Sequence, residues 1–210
     1  MKRIIALLLV FITLLSFTAC KKDKNKETEP TPPRYTYVKM TVAEYGDIIL
    51  KLDRREAPKT VENFVKLVNE DFYNGLTFHR VIDGFMIQGG DPKADGTGGS
   101  SQKIVGEFSA NGYKNAIKHK RGVISMARSN AYNSASSQFF ICNATNTSVS
   151  NLDGNYAAFG WVISGMDVVD AITSATVHYG DSNGKISNKT MQAVISEMKV
   201  ITEEEALGVN

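Results

Sequence analysis

Three stretches of the chain concentrate side chains that could do chemistry: residues 78–91 (FHRVIDGFMIQGGD), 123–142 (VISMARSNAYNSASSQFFIC) and 152–160 (LDGNYAAFG). Several standard kinds of site are excluded by spacing. The three histidines, His79, His119 and His178, lie far apart without metal-ligand spacing, and Cys142 is the one nearby cysteine. No serine sits in a GxSxG elbow, and Ser134-Ala135-Ser136-Ser137 reads as a loop. Gly96-Thr97-Gly98-Gly99 lacks the Gly-Lys-Ser/Thr of a phosphate loop. Asp181-Ser182-Asn183-Gly184 lacks the spacing and closing glutamate of a calcium loop and reads as a turn. The expectation is a site that uses neither metal nor cofactor.

The segments FHR (78–80), GFMIQGGD (84–91), GTGG (96–99), SQFFI (137–141) and LDG…FG (152–160) resemble, together and in this order, the signature blocks of the cyclophilin family of prolyl isomerases. The resemblance extends over roughly residues 37–201. It implies a mainly β fold, a closed antiparallel barrel of eight strands capped by two helices, with a substrate groove on its outer face. Arg80 matches the family's catalytic arginine, and Gln88 the glutamine that bonds near it. Phe85, Met86 and Phe140 match the walls of the proline pocket, with Leu152 a further wall and Tyr156 beside it. Ala127 and the backbone of Arg128 match the stretch that pairs with the substrate main chain. Gln138 and the Gly96 loop match the groove's edge. Three positions depart from the best-known members: Asn151 replaces a tryptophan, Tyr156 a histidine, and Arg128 a small polar residue.

These residue types suit rotation about an X-Pro bond. Delocalisation of the nitrogen lone pair sets a barrier of about 18–20 kcal/mol, and uncatalysed exchange takes tens to hundreds of seconds. Reaching milliseconds needs roughly five decades, about 7 kcal/mol. No bond breaks, so no nucleophile or proton shuttle is needed. In the twisted amide the nitrogen regains a localised lone pair, and an arginine N–H can donate to it only there. Arginine stays charged and projects rigid donors; Gln88 could hold it in place. Two other readings are a proline-segment binding module without turnover and a structural subunit of an envelope complex. Arg80 retained alongside Gln88, Phe85 and Phe140 favours the enzyme.

The elements that must position these residues are legible in part. Residues 37–42 and 47–52 read as strands joined through a turn at Gly46. Pro58 opens a helix with Val61, Phe64, Val65 and Val68 on one face, ending near Asn74-Gly75. Short strands follow at 77–81, 85–88, 122–127, 138–143 and 157–162, then a helix at 166–173 and a closing strand at 193–201. Two helices without βαβ alternation favour a barrel or sandwich. Trp161 is expected in the core, His79 in a structural role, and Cys142 as an inert buried thiol.

The first 34 residues belong to a different regime. Lys2-Arg3 is followed by an apolar run from Ile4 to Leu15 and by Ser16-Phe17-Thr18-Ala19-Cys20. The run is shorter than the ~20 residues of a spanning helix, so residues 1–19 read as a secretory signal. The Cys at its boundary resembles a lipobox and makes Cys20 the expected lipidated first residue. Residues 21–34 (KKDKNKETEPTPPR) have no apolar residue except proline and should form a disordered tether. Fully extended it would reach about 46–50 Å. The isomerase domain is then 35–210. Removing Lys2 and Arg3 leaves 22 bases against 22 acids, which gives no bulk electrostatic case for nucleic acid. The expected partners are proline-containing polypeptides and, through the anchor, a membrane; the domain is expected to be monomeric. Lys21 stands where an inner-membrane retention aspartate would, so the expected location is the outer membrane, facing the periplasm.

Overall fold

Period-two burial marks the first two strands of the computed structural model, which describes residues 32–208. In β1 (Tyr35–Val42), Val38, Met40 and Val42 are buried; in β2 (Gly46–Asp53), Ile48, Leu50 and Leu52 are. The register sets Val38 opposite Leu50 and Met40 opposite Ile48, so the two rows meet on one face. Six more strands follow: β3 (Thr77–Ile82), β4 (Met86–Gly89), β5 (Val123–Met126), β6 (Phe139–Cys142), β7 (Ala158–Ser164) and β8 (Ala193–Ile201). They form a closed barrel in the order β1-β2-β7-β5-β6-β4-β3-β8, with every pairing antiparallel. Closure leaves no unpaired edge.

Helix α1 (Pro58–Asn69) places proline in its first turn and buries Val61, Phe64, Leu67 and Val68. It stops about five residues before the end expected from sequence. Asp71 adopts a left-handed φ of 54°, and the Asp71 and Phe72 N–H groups reach back to the Val68 and Leu67 carbonyls. That double closure satisfies the last carbonyls and turns the chain. Helix α3 (Met166–Thr176) runs three residues beyond its expected end. Two short helices, α2 (Thr147–Ser150) and α4 (Glu203–Leu207), were not legible. Helix α4 carries a capping box between Thr202 and Glu205.

The interior is aromatic at one end. The ring of Phe64 lies 5.0 Å from Tyr73, 5.6 Å from Phe139 and 5.1 Å from Phe159. A second, smaller apolar cluster sits on the outer face of β4–β7 and contains Met86, Val123, Phe140, Cys142 and Ala158. Strand alternation produces it: Phe139 and Ile141 point inward while Phe140 and Cys142 point out. Trp161 belongs to this outer cluster and is only half-buried, not in the interior as expected. Cys142 is buried and its thiol is pushed up to about 12 by burial, an unreactive state. Cys20, the signal and most of the tether lie outside the described residues.

Replacing Phe64 by alanine removes a fully buried ring from three aromatic contacts. The expected loss is about 3–5 kcal/mol, read from urea unfolding. A loss below about 1 kcal/mol would mean that the helix does not carry this end of the core.

Candidate active site

The β3–β4 hairpin brings the polar residues together. Its register places Arg80 beside Gln88 and Ile82 beside Met86. Arg80 is half-buried; its Nε donates to the Asn183 carbonyl at 2.8 Å and its Nη1 to Gln88 Oε1 at 3.2 Å. Because that oxygen accepts, the Gln88 amide nitrogen faces away and donates to Gln138 Oε1 at 2.8 Å. Gln138 then donates to the Gly96 and Gly98 carbonyls at 3.1 and 2.8 Å. Each amide orientation is thus set by the one before it. Among the described residues no carboxylate forms an ion pair with Arg80. Burial lowers its pKa, which leaves it charged near neutrality but makes its remaining donors poorly hydrated.

Beside this relay lies a cleft of about 380 Å³. Phe85, Met86, Phe140, Leu152 and Tyr156 form its apolar side; Gly96, Ala127 and Arg128 close the other. All the site residues read from sequence line it together with Arg80 and Gln88, except Gln138, which joins through the relay and lines the adjoining trough. Tyr156 meets the Phe140 ring edge-on at 5.8 Å, and the His119 ring stacks on Phe140 from beneath at 6.1 Å. Asn151, by contrast, is exposed at the end of α2 and is not a lining residue.

His119 itself bonds Asp153 Oδ1 through Nδ1 at 2.9 Å and Ser125 Oγ through Nε2 at 3.0 Å. The order Asp–His–Ser is that of a hydrolase triad. Ser125 is completely buried beside Phe140 on the paired strand, however, so the trio supports the cleft's wall and no substrate carbonyl can reach it.

The loop after β4 is held by Asp91, which is fully buried and accepts from the Lys93, Asp95 and Gly96 amides at 2.8, 3.2 and 2.6 Å. Burial pushes this carboxyl up, and the backbone donors more than offset it, leaving it below its ordinary value. A side chain at Gly98 would drive its Cβ into Asp91 Oδ1, which the backbone amides hold in place, so only glycine fits there. His79, Asp95 and Lys185 also line the cleft and were missed as site residues. His79 adjoins Arg80 where β3 bulges between Phe78 and Arg80, a break in alternation that no residue pattern announces. Lys185 arrives from a loop a hundred residues downstream. Among the described residues no three His, Cys, Asp or Glu side chains group as a metal site.

The closed barrel thus carries on its outer face an apolar cleft edged by an arginine. Residues 37–200 match the family model for cyclophilin type peptidyl-prolyl cis-trans isomerases. The chain is 39% identical over 202 residues to peptidyl-prolyl cis-trans isomerase A of Dickeya dadantii, covering 95% of this chain and 98% of that one. It is 43% identical over 134 residues to isomerase B of Escherichia coli, covering 61% and 79%. A crystal structure of a Cryptosporidium parvum cyclophilin superposes with a TM-score of 0.68 at 28% identity, covering 80% of this chain and 99% of that one. The chain belongs to the cyclophilin family, and it is an enzyme that isomerises X-Pro peptide bonds.

Two buried histidines make the fold pH-sensitive. His79 has no hydrogen-bond partner for either ring nitrogen among the described residues, and burial lowers its pKa from the usual 6.5; burial does the same to His119, against the opposing pull of Asp153. The unfolded chain therefore takes up protons first. Stability should be complete above about pH 6.5 and decline as pH falls through the depressed folded values. Urea midpoints measured at pH 7.5 and 5.5 should show the domain weaker at the lower pH. An equal or higher midpoint at pH 5.5 would contradict this.

Proposed function

We propose that this isomerase acts on proline-containing segments of exported polypeptides, that Arg80 is its catalytic residue, and that a lipid on Cys20 anchors it in the cell envelope. The observation that carries the catalytic part is the state of Arg80: charged, half-buried, without an ion-paired carboxylate among the described residues, and oriented at the edge of an apolar cleft. Two of its five N–H donors are engaged, one with Asn183 and one with Gln88. The others are available to the nitrogen of a twisting amide. Phe85, Met86, Phe140 and Leu152 clamp the proline ring while the preceding carbonyl swings. A related cyclophilin from Cryptosporidium parvum, 29% identical with a TM-score of 0.67, was crystallised in the presence of the dipeptide Ala-Pro. A ligand of that size and chemistry suits this cleft.

The envelope part rests on the chain's first 34 residues. A basic start, a short apolar run, a cysteine at its boundary and a polar, proline-containing tether support residues 1–19 as signal, 20–34 as anchor and tether, and 35–210 as the working domain. Lys21 after the cysteine favours the outer membrane, with a monomeric domain facing the periplasm and assisting the folding of exported chains. A tether averaging roughly 20 Å as a coil lets the domain turn toward its clients.

Arg80→Ala should lower kcat/KM on an X-Pro peptide by at least about two decades, about 2.7 kcal/mol, with an unchanged circular dichroism spectrum. Undiminished turnover in the folded variant would remove Arg80 from the mechanism. Cys20→Ser should end lipid labelling and shift the protein out of the membrane fraction, with activity per molecule unchanged. Recovery of that variant in membranes would point to a different anchor.

A further inference from the structure

The cleft does not end at Ala127. It continues into a trough of about 420 Å³ that shares Gln88, Gly96, Ala127 and Arg128 with it and runs on past Ser129 and Ser134 to Lys103. The trough is lined by backbone, hydroxyls and amides, and its charged lining residues are Lys103 and Arg128, without any aspartate or glutamate. Nearby carboxylates are already engaged. Asp91 is fully buried and held by backbone amides, Asp95 is held by Thr97, both remaining anionic, and Glu62 is paired with Lys59.

Arg128 is built to keep its charge in place without neutralising it. Its guanidinium lies 4.7 Å from the Tyr156 ring centroid, 5.1 Å from Phe108 and 5.2 Å from Tyr132. Its Nε donates to the Asn155 carbonyl at 2.9 Å, and its Nη1 to the Ser129 and Asn130 carbonyls at 2.9 and 3.3 Å. Nη2 makes no hydrogen bond, and no ion pair involves this residue among the described ones. Aromatic faces stabilise a cation and hold this one in place at the junction of cleft and trough. Within the cleft, Lys185 lies in the field of Asp95.

We propose that Arg128 and Lys103 make this trough a subsite for an acidic side chain flanking the proline, so that the enzyme prefers X-Pro segments with a nearby aspartate or glutamate. The proposal rests on the reading of the cleft as the proline site. Because Lys103 and Arg128 both lie along the trough, the preference is one-sided: an acid on the trough side of the proline is favoured over one on the other side.

The test uses X-Pro peptides carrying Glu, Gln or Lys at successive positions on either side of the proline, with turnover and binding by fluorescence anisotropy measured on each. On one side only, Glu should exceed Lys by about fivefold or more in kcat/KM and in affinity at low ionic strength. The ratio should approach one near 0.5 M salt, where screening is roughly complete within a few ångströms. It should also shrink in Lys103→Gln, where the lysine makes no side-chain hydrogen bond or ion pair among the described residues, and shrink further in Arg128→Gln. Because Arg128 also braces Tyr156, the Glu-to-Gln ratio within each variant is the readout. Equal affinity for Glu and Lys peptides would overturn the proposal, and a preference unchanged in both variants would overturn its assignment to these residues. Absence of turnover on every peptide with the binding preference intact would sink the isomerase mechanism and leave the subsite standing.

Discussion

A β-strand has two faces, and closing a sheet into a small barrel commits one of them to the interior. That constraint shapes everything else in this molecule. On β4 and β6 the inward set, Ile87, Phe139 and Ile141, fills the barrel. The outward set is then free to be Met86, Gln88, Phe140 and Cys142, whose polar and apolar members alternate with the interior ones. The cleft is therefore not a hole in the core. It is a second, shallow core laid on the first, and a register slip of one residue in β4 or β6 would exchange the two.

The same geometry explains why the polar relay is stiff. Arg80 and Gln88 face each other on paired strands, and Gln88 stands opposite Phe140 on the next. Gln138 sits just before β6 and ties the relay to the loop that Asp91 folds onto itself. Every amide has one productive orientation, so the guanidinium is held before any substrate arrives. Preorganisation of this kind matters most for a reaction in which charge redistributes without bonds being made or broken. Of the roughly 7 kcal/mol required, a single oriented charged donor can supply about 2.7 kcal/mol or more. The clamp and the displaced water must account for the rest.

Much of the fold was readable because the strand and helix periods are regular. β8 was delimited at 193–201, and every strand was placed within two residues at each end. The cleft's walls were readable because they sit inside contiguous motifs. What escaped lacked a local signal. The end of α1 depends on a left-handed Asp71, a conformation that aspartate only occasionally adopts. Trp161 follows a bulge in the β5–β7 pairing between Ala158 and Gly160, which breaks the alternation after the inward Phe159 and turns the indole outward. Lys185 and Asn183 reach Arg80 through a turn whose aspartate cap was visible but whose destination was not. The cage around Arg128 gathers rings from positions 108, 132 and 156, and nothing in their spacing announces it.

The central claim is that Gln88 works through Arg80, by aiming it, and the most direct test is a double-mutant cycle on turnover. Arg80→Ala, Gln88→Leu and the double variant would be compared by exchange NMR on one X-Pro peptide. If the relay acts as described, Gln88→Leu costs about tenfold or more in kcat with little change in KM when Arg80 is present, and almost nothing once Arg80 is gone. If the two losses simply add, or if Gln88→Leu raises KM and leaves kcat alone, Gln88 serves binding on its own and the account of the relay is wrong.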